Sequence, residues 1–336
     1  MKSKSLKVDE PKQKLSSFLN IQKDKLAGDE VLVKVMFCGI CHTDVHEIDN
    51  DWDRNKDFYP FIPGHEIIGR IEKVGSNVKD KKVGDVVGVG WQSACCGKCF
   101  ACLRGWRNIC ENGTPTYNNL NGGFQNYVIS QSAFAVKIPK KLQRPEATPL
   151  LCGGITVFNP LVLYDVKPKM KTLVIGMGGL GHMAVKFMSA LGCDVSVVSR
   201  DGEKKKDAIK FGARKFYQSL DAVDSASLDF ILVCTPEPID SKLAIKKLRA
   251  HGKLCVVGAI TKDLTFNPFD MLDYETSIGV ASIGDPKTIE MMLDLAAKNN
   301  ITAQSEIYSP EAANEVIQKV RDGKVRYRAV LDFQNF

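Results

Sequence analysis

No apolar run in this sequence approaches the roughly 20 residues that a membrane-spanning helix needs. The first residues, from Met1 to Lys7, also lack the apolar segment of a secretory signal peptide. Internal repeats and low-complexity segments are missing as well. These absences argue against membrane and repeat proteins, and we expect a cytoplasmic protein that has no membrane partner.

The sequence also lacks a nucleic-acid-binding motif, although its formal net charge is +7 and its pI is near 8.7. Lysine and arginine are spread along the chain and form no single basic stripe. We therefore expect phosphate-bearing small molecules, and not nucleic acid, as binding partners. With 336 residues, 44% hydrophobic and 25% charged, the chain has a globular composition and the length of two domains.

Cysteine, in contrast, is abundant. The chain has 11 cysteines, and this odd number argues against a complete set of disulfides. In a reducing compartment, clustered cysteines more often bind metal. The cysteine clusters are therefore candidate metal sites.

The first candidate metal site combines the segment from Cys38 to His46 with Gly64-His65-Glu66. This stretch offers thiolates, imidazoles, carboxylates and a hydroxyl beside turn-forming glycines, which is a poor composition for an apolar core. One thiolate and one imidazole suit Zn²⁺, but two ligands do not close a site. At least one further ligand must come from elsewhere in the chain.

The second candidate site has the spacing C-x₂-C-x₂-C-x₇-C over Cys96, Cys99, Cys102 and Cys110. Four thiolates so spaced can surround one tetrahedral Zn²⁺ and leave no open position, which is typical of a structural site. The alternative is a set of free thiols on an exposed loop. Cys95 is a possible substitute for Cys96, but the x₂ spacing allows a tighter turn and favours Cys96.

Two different sequence patterns predict the two domains. Short apolar segments punctuated by glycine, at 31–36, 61–69 and 83–90, predict tightly turning strands in a barrel-like β domain. From residue 171 the chain alternates buried strands with helices, which predicts a Rossmann sheet over about 154–284. Within it we expect a lysine-rich helix over 239–250 and a last strand over 278–283, and after it a helix over 287–299 and a strand over 328–331.

The first βαβ unit of this sheet carries a dinucleotide-binding motif. The strand over 172–175 is followed at once by a G-x-G-x-x-G turn and then by apolar residues at helical spacing. Its glycines let backbone N–H groups approach a pyrophosphate at the helix N-terminus. The residues of this turn are Gly176, Met177, Gly178, Gly179, Leu180 and Gly181, and His182 after it is expected on the helix surface.

The end of the second strand favours NADP over NAD. NAD-binding sheets usually place an acidic residue there to bind the adenosine ribose hydroxyls, whereas this chain has Ser199. Arg200 and Lys204 can bind a 2′-phosphate, with Ser199 donating to it. Asp201 is either the N-cap of the next helix or a ribose ligand, and in the second case it would favour NAD.

These motifs together resemble those of the zinc-containing medium-chain alcohol dehydrogenases, and most closely their cinnamyl alcohol dehydrogenase-like branch. The resemblance covers most of the chain in the family's order and spacing. The matching segments are Gly39-Ile40-Cys41-His42-Thr43-Asp44-Val45-His46, Pro63-Gly64-His65-Glu66, the four-cysteine segment, 150–157 and 176–182.

The resemblance implies the missing zinc ligand. In that family the counterparts of Cys41, His65 and Cys152 hold the catalytic zinc, a ligand set already known for alcohol dehydrogenase. Glu66 matches a carboxylate near this metal. Asp44 matches the residue that orients the histidine ligand.

It also implies an α/β fold in which a β-rich GroES-like catalytic domain, residues 1–153 plus 285–336, contains an inserted Rossmann domain, 154–284. The zinc lobe would span 95–110, and the chain would form a homodimer. Zinc stabilises the substrate alkoxide, and hydride moves between the carbinol carbon and nicotinamide C4. Thr43 would begin a proton relay that ends at His46. The further cofactor contacts implied are Thr43, Thr156, Thr235, Gly258 and Ser282.

The resulting hypothesis is an NADP-dependent zinc alcohol dehydrogenase, with two zincs per chain, that reduces aliphatic and aromatic aldehydes or oxidises primary alcohols. A polyol dehydrogenase of the same superfamily is the first alternative, and a non-catalytic zinc- and nucleotide-binding protein is the second. Pro115 stands where lignin-forming members carry a bulky aromatic residue. Trp52, Trp91 and Tyr117 are the remaining aromatic candidates for a substrate pocket.

Overall fold

The computed structural model describes residues 2–22, 25–260 and 262–336 and divides the chain into two compact units. Unit 1 comprises Met1–Cys152 with Asp285–Phe336, and unit 2 comprises Gly153–Gly284. These boundaries lie beside the expected ones at 153/154 and 284/285. Unit 2 is therefore one continuous segment inserted into unit 1.

The strands of the described residues are β1 (Lys2–Lys7), β2 (Ser16–Ile21), β3 (Glu30–Ile40), β4 (Glu66–Val74), β5 (Val86–Val89), β6 (Gln92–Ala94), β7 (Thr114–Pro115), β8 (Tyr127–Gln131), β9 (Ala135–Lys137), β10 (Lys171–Ile175), β11 (Asp194–Val198), β12 (Lys215–Tyr217), β13 (Leu228–Val233), β14 (Leu248–Val256), β15 (Ser277–Val280), β16 (Ser305–Tyr308) and β17 (Arg328–Asp332).

The α-helices are α1 (His42–Asp49), α2 (Phe100–Leu103), α3 (Gly153–Leu163), α4 (Gly181–Ala190), α5 (Lys205–Lys210), α6 (Ser241–Lys247), α7 (Phe269–Leu272), α8 (Pro286–Asn299) and α9 (Ala313–Arg321). A 3₁₀-helix covers Pro145–Leu151. No single helix among the described residues is long and apolar enough to span a membrane, although the bent pair Pro145–Leu151 and Gly153–Leu163 passes that test by length and composition.

Unit 1 is built on a seven-stranded sheet whose strand order is β16-β17-β3-β4-β5-β9, with β8 paired to β3. Alternate residues of β3, namely Val31, Val33 and Val35, lie in one buried core, and Leu32 on the opposite face is buried as well. The register places Gly39 of β3 opposite both Glu66 of β4 and Val330 of β17. The sheet therefore brings three distant segments to one point, and the predicted β-rich domain is confirmed.

A glycine is required at that point. A Cβ atom on Gly39 would lie 2.0 Å from Oε2 of Glu66, so any side chain there would displace the carboxylate. Glycine at this register position lets the Glu66 side chain lie across β3.

Unit 2 is a six-stranded sheet in the order β12-β11-β10-β13-β14-β15, and every strand pair in it is parallel. This is the strand order of a dinucleotide-binding Rossmann sheet, which confirms the prediction. The predicted lysine-rich helix at 239–250 is shorter and ends at Lys247, because Leu248 begins β14. The last strand ends at Val280 and not at residue 283.

The glycine-rich turn after β10 shows why three of its positions carry no side chain. Gly176 has φ of 96°, a backbone conformation that favours glycine. A Cβ on Gly181 would lie 1.8 Å from the Gly176 carbonyl oxygen, whereas one on Gly178 would meet no atom of the described residues within 4 Å. Gly181 thus permits close helix packing, and Gly178 leaves open space for a ligand. His182 does not lie on the helix surface as expected, because its side chain is fully buried.

Candidate active site

A cluster of four metal-ligating side chains lies buried in unit 1. One ligand atom each from Cys41, His65, Glu66 and Cys152 lies within 4.8 Å of the others. In the described part of the chain, Nε2 of His65 and Oε2 of Glu66 are buried without a hydrogen-bond partner. Buried polar atoms are rarely left unpaired, so a bound cation is the simplest partner for both.

Three separate segments of the chain carry these side chains. Cys41 joins β3 to α1, and His65 directly precedes β4, which pairs with β3. Cys152 directly follows the 3₁₀-helix Pro145–Leu151. The sequence-predicted ligands are therefore brought together, and we name this group the buried cluster.

Asp44 holds two of these residues in place. Its Oδ2 accepts a 2.8 Å hydrogen bond from the Cys41 backbone N–H. Its Oδ1 lies 3.1 Å from Nδ1 of His65 and accepts a 2.8 Å bond from the Gly64 backbone N–H. A proton on Nδ1 leaves Nε2 as the lone-pair donor towards the cluster, which is the orientation that a metal ligand needs.

Cys41 and Cys152 shift each other's pKa in opposite directions. A hydrogen bond from the Cys152 thiol, aided by the Arg328 guanidinium, lowers the pKa of Cys41 well below its usual value despite burial. The same contact, together with burial, raises the pKa of Cys152. Burial favours neutral His65, but the Asp44 carboxylate outweighs it and raises the pKa of His65. A divalent cation would displace these protons, and the donor set of two thiolates, one imidazole and a nearby carboxylate fits Zn²⁺.

Arg328 is a member of this site that sequence patterns did not indicate. It lies on β17, is 6% exposed, and donates through Nη2 to Oε1 of Glu66. Burial raises the pKa of Glu66 to about 7, opposed by the Arg328 charge. Only the predicted strand at 328–331 pointed to this region, and a strand prediction does not specify which distant carboxylate an arginine meets.

Thr43 and His46 both lie on α1, whose N-cap is Cys41. Thr43 Oγ1 is 3.7 Å from Sγ of Cys41. The His46 ring is partly exposed, and its Nδ1 lies 2.7 Å from Oδ2 of Asp51. Asp51 was not predicted, although an acidic residue shortly after a relay histidine is a local signal. Cys38 lies outside the cluster, because it is packed against Gly64 and Gly123.

The second cluster contains Cys96, Cys99, Cys102 and Cys110, whose sulfur atoms lie within 4.8 Å of one another. Backbone N–H groups point at these sulfurs, for example from Cys99 to Cys96 and from Asn112 to Cys110, each at 3.4 Å. Backbone N–H groups of Lys98 and Cys99 lower the pKa of Cys96 to about 6. Burial raises the pKa of Cys102 and of Cys110 to about 11. Four sulfurs so close together fit a closed tetrahedral Zn²⁺ site, and a cation there would favour the thiolate form of all four.

Cys95 is not a member of that group. Its backbone N–H and carbonyl both bind the side-chain amide of Gln131, at 2.9 and 3.2 Å. We use the name cysteine lobe for residues 95–110, as in the sequence prediction.

Unit 2 contains a cavity of about 590 Å³ beside the glycine-rich turn. Its lining includes Gly176, Gly178, Ser199, Arg200, Lys204 and Thr235. The other predicted contacts of unit 2, Thr156, Gly179, Leu180, Gly181, Gly258 and Ser282, are not among its lining residues, and Thr43 belongs to unit 1.

The carboxylate of Asp201, which lines this cavity, already has two partners within the protein. It is the N-cap of the following turn, accepts a 3.0 Å bond from the Glu203 backbone N–H, and lies 3.7 Å from Nζ of Lys204. Gly258 is packed so closely that a Cβ there would lie 2.1 Å from the Thr235 carbonyl oxygen. The cavity therefore combines an open glycine turn with two cationic side chains.

Two of the aromatic candidates are not exposed pocket residues. Tyr117 is 1% exposed, and its hydroxyl donates to Oε1 of Glu47 at 2.9 Å and accepts from Nε1 of Trp91 at 3.0 Å. Trp52 alone among the three is exposed, at 39%.

Comparison with known proteins agrees with this arrangement. Residues 27–140 match the alcohol dehydrogenase GroES-like domain, and residues 179–298 match the zinc-binding dehydrogenase family. Aldehyde reductase AdhA of Synechocystis sp. is 37% identical over 310 residues, which cover 91% of this chain and 92% of that protein.

Solved structures give the same result. A cinnamyl alcohol dehydrogenase of Sorghum bicolor superimposes with a TM-score of 0.92 at 32% identity, covering 99% of this chain and 98% of that one. The CAD of Helicobacter pylori complexed with NADP(H) superimposes with a TM-score of 0.91 at 30% identity, covering 100% and 99%. The chain belongs to the zinc-containing medium-chain alcohol dehydrogenases, in their cinnamyl alcohol dehydrogenase-like branch.

Proposed function

We propose that this protein is an NADP-dependent zinc alcohol dehydrogenase that reduces aldehydes and oxidises the corresponding primary alcohols. The observation that carries the proposal is the buried cluster, in which two polar atoms that have no partner among the described residues lie close to two thiols. Cys41, His65 and Cys152 would hold the catalytic zinc, with the carboxylate of Glu66 beside it. The cysteine lobe would hold a second, structural zinc.

When bound, zinc supplies Lewis acidity and the nicotinamide supplies or accepts the hydride. The chain's own residues orient the substrate and move the proton. Thr43 Oγ1 lies next to Cys41 and is placed to hydrogen-bond the substrate oxygen. His46 is partly exposed, so it can exchange that proton with water, and Asp51 orients its ring through Nδ1.

The preference for NADP rests on charge and on the engagement of Asp201. Arg200 and Lys204 line the cavity beside the small hydroxyl of Ser199, a combination suited to a 2′-phosphate. Asp201 already accepts a backbone N–H and is paired with Lys204, which makes it a poor acceptor for ribose hydroxyls. The complex of the Helicobacter pylori relative with NADP(H) supports the same preference.

We also infer a cytoplasmic homodimer. β15 is an edge strand of the unit 2 sheet, and apolar side chains near it are exposed, namely Val280 at 74%, Phe269 at 77% and Leu272 at 65%. An exposed edge strand flanked by apolar side chains favours association with another chain. Light scattering after size exclusion should give twice the chain mass, and a monomer would contradict the inference.

The test of function is a steady-state panel of aldehydes and polyols with NADPH and NADH, combined with a zinc count. We expect aldehyde reduction that prefers NADPH, and two zincs per chain. Replacing both Arg200 and Lys204 by alanine should weaken NADPH binding by about tenfold or more and leave NADH binding nearly unchanged. Polyol turnover with NAD in place of aldehyde reduction would contradict the proposal and favour the polyol alternative.

The non-catalytic alternative has its own test. If the protein only binds zinc and nucleotide, the Cys41→Ser variant and the parent should be equally inactive towards every aldehyde. An active parent beside an inactive variant would exclude that alternative.

A further inference from the structure

The cysteine lobe contains a fifth thiol beside its four-sulfur group. Cys95 is half-buried and is not a member of that group. Its side chain is nevertheless in hydrogen-bonding contact with the thiol of Cys102, which is a member. A zinc held by the lobe would therefore have an accessible thiol directly beside one of its ligands.

Exposure separates Cys95 from the other cysteines that lie outside both metal groups. In the described structure, Cys95 alone among them is not buried, whereas Cys38, Cys193, Cys234 and Cys255 are. A solute that oxidises thiols reaches accessible sulfur atoms first. Cys95 is therefore the thiol outside the two metal groups that such a solute meets.

The main chain of Cys95 is fixed to the sheet of unit 1. Its backbone N–H donates to Oε1 of Gln131 at 2.9 Å, and its carbonyl accepts from Nε2 of Gln131 at 3.2 Å. Gln131 is the last residue of β8, which pairs with β3. Cys102 lies instead in α2, a single helical turn. A bond between the two sulfurs would therefore displace Cys102 more than Cys95.

We propose that Cys95 is a site of oxidative modification, at which a hydroperoxide produces a Cys95–Cys102 disulfide and thereby releases the lobe zinc. This rests on the proposed function, which assigns a structural zinc to the cysteine lobe. In the reducing cytoplasm proposed for this protein, such a disulfide is transient and responds to the redox state.

The reaction balances in two steps. The Cys95 sulfur attacks one oxygen of the hydroperoxide, the O–O bond breaks, and Cys95 becomes a sulfenic acid while water or an alcohol leaves. The Cys102 sulfur then attacks the Cys95 sulfur, and the hydroxyl group leaves with a proton as water. The two thiols are oxidised to a disulfide by the electrons that they give to the hydroperoxide.

The disulfide removes a ligand from the four-sulfur group. Bonded sulfurs lie about 2.05 Å apart, so the Cys102 sulfur has to turn towards Cys95 and away from the other three. A disulfide sulfur is no longer a thiolate, and zinc needs the deprotonated thiol as its ligand. Cys96, Cys99 and Cys110 would remain, and an incomplete site holds its metal less tightly.

The experiment treats the zinc-loaded full chain with hydrogen peroxide and follows zinc release with a chromogenic chelator. We expect the parent to release the lobe zinc, and peptide mapping without reductant should show the Cys95–Cys102 disulfide. Cys95→Ser should slow the release by on the order of tenfold, because the accessible thiol that reacts first is missing. Cys193→Ser is the matched control, since it removes a buried thiol outside both metal groups and should release zinc as the parent does.

A second measurement follows stability and reversal. The Tm of the oxidised parent should fall by on the order of 10 °C through loss of the lobe metal, whereas peroxide-treated Cys95→Ser should keep its Tm. Dithiothreitol together with Zn²⁺ should restore the Tm of the parent, because reduction of a disulfide regenerates both thiols.

Equal rates of zinc release in the parent and in Cys95→Ser would overturn the inference. A peptide map in which Cys95 remains a thiol or is joined to Cys96 would overturn it as well. A parent that reduces no aldehyde would overturn the proposed function, while zinc release and the peptide map still decide the role of Cys95. A parent isolated without the lobe zinc would overturn the structural zinc and the inference together.

Discussion

The buried cluster and the cysteine lobe bring similar ligands together in different ways. The lobe takes all four thiols from one short segment, and backbone N–H groups of the same segment stabilise the sulfurs. The buried cluster takes its donors from three separate segments, and its charges are balanced by Asp44 and Arg328 from still other positions. The lobe is a local structure, whereas the buried cluster depends on the whole sheet of unit 1.

We therefore expect the cysteine lobe to contribute to stability and the buried cluster to contribute to catalysis. A site closed by four thiols has no position left for a substrate, so a metal bound there would serve the fold. The buried cluster retains a carboxylate oxygen without a partner among the described residues, and Thr43 lies next to the Cys41 sulfur of that cluster. Variants of the two sites should therefore affect different measurements.

The largest effect on activity is expected for Cys152→Ser. It removes one thiolate from the buried cluster, and aldehyde reduction should fall by more than about 100-fold, beyond the 10–100-fold cost of losing a supporting residue. The zinc count should drop from two to one. Cys193→Ser is the control, since that thiol is buried in unit 2 outside both clusters. More than a tenth of the parent activity in Cys152→Ser would rule out Cys152 as a ligand.

A smaller loss of activity is expected for Asp44→Asn. The neutral amide cannot accept three hydrogen bonds as a carboxylate does, so the orientation of His65 should loosen and zinc affinity should fall by about 10–100-fold. Competition with a chromogenic chelator measures this affinity. Asp49→Asn on the same helix removes an acid that pairs with Arg321 outside the cluster, and it should bind zinc as the parent does.

For Cys99→Ser we expect the opposite of Cys152→Ser, namely a large loss of stability and a small loss of activity. Loss of the lobe metal should lower the Tm by on the order of 10 °C, since each kcal/mol of lost stability shifts the Tm of a domain of 150–250 residues by about 2–4 °C. Activity per remaining zinc at 25 °C should stay within about threefold of the parent. Differential scanning calorimetry of Cys99→Ser and Cys152→Ser side by side makes the test, and equal Tm values would refute the structural assignment.

The smallest effect is expected for Cys95→Ser. Its sulfur is outside the four-thiol group and its backbone is held by Gln131, so the stability should change by less than about 0.5 kcal/mol. Cys96→Ser should instead behave as Cys99→Ser does. If Cys95→Ser lost the lobe zinc and Cys96→Ser kept it, the choice between the adjacent cysteines would be wrong.

The same contrast explains what could be predicted from sequence. The spacing of the lobe thiols and the glycine-rich turn are local patterns, and the structure places both as expected. Cys152 lies far in the sequence from the other cysteines of both candidate sites, and only the family resemblance linked it to Cys41. Arg328 could not be linked to Glu66, because their proximity comes from the registers of β17 and β4 against β3.

Burial was also hard to predict. His182 was expected on the helix surface, but the helix packs so closely that its ring is buried, with Nδ1 3.1 Å from the Gly178 carbonyl oxygen. Tyr117 was a pocket candidate by composition, yet its hydroxyl satisfies the buried carboxylate of Glu47. A sequence shows that a residue is polar or aromatic, but its partner, and hence its burial, is set by the tertiary fold.

The position of Arg328 has a consequence for biosynthesis. Glu66 and Arg328 are separated in the chain by the whole of unit 2, so the ribosome completes that unit before it makes the arginine. Until then, burying the ionised Glu66 carboxylate would be more costly, because the guanidinium that donates a hydrogen bond to it is missing. The nascent N-terminal half should therefore remain open at this point while unit 2, a continuous segment, folds first. Closure of the catalytic site is thereby postponed until late in synthesis.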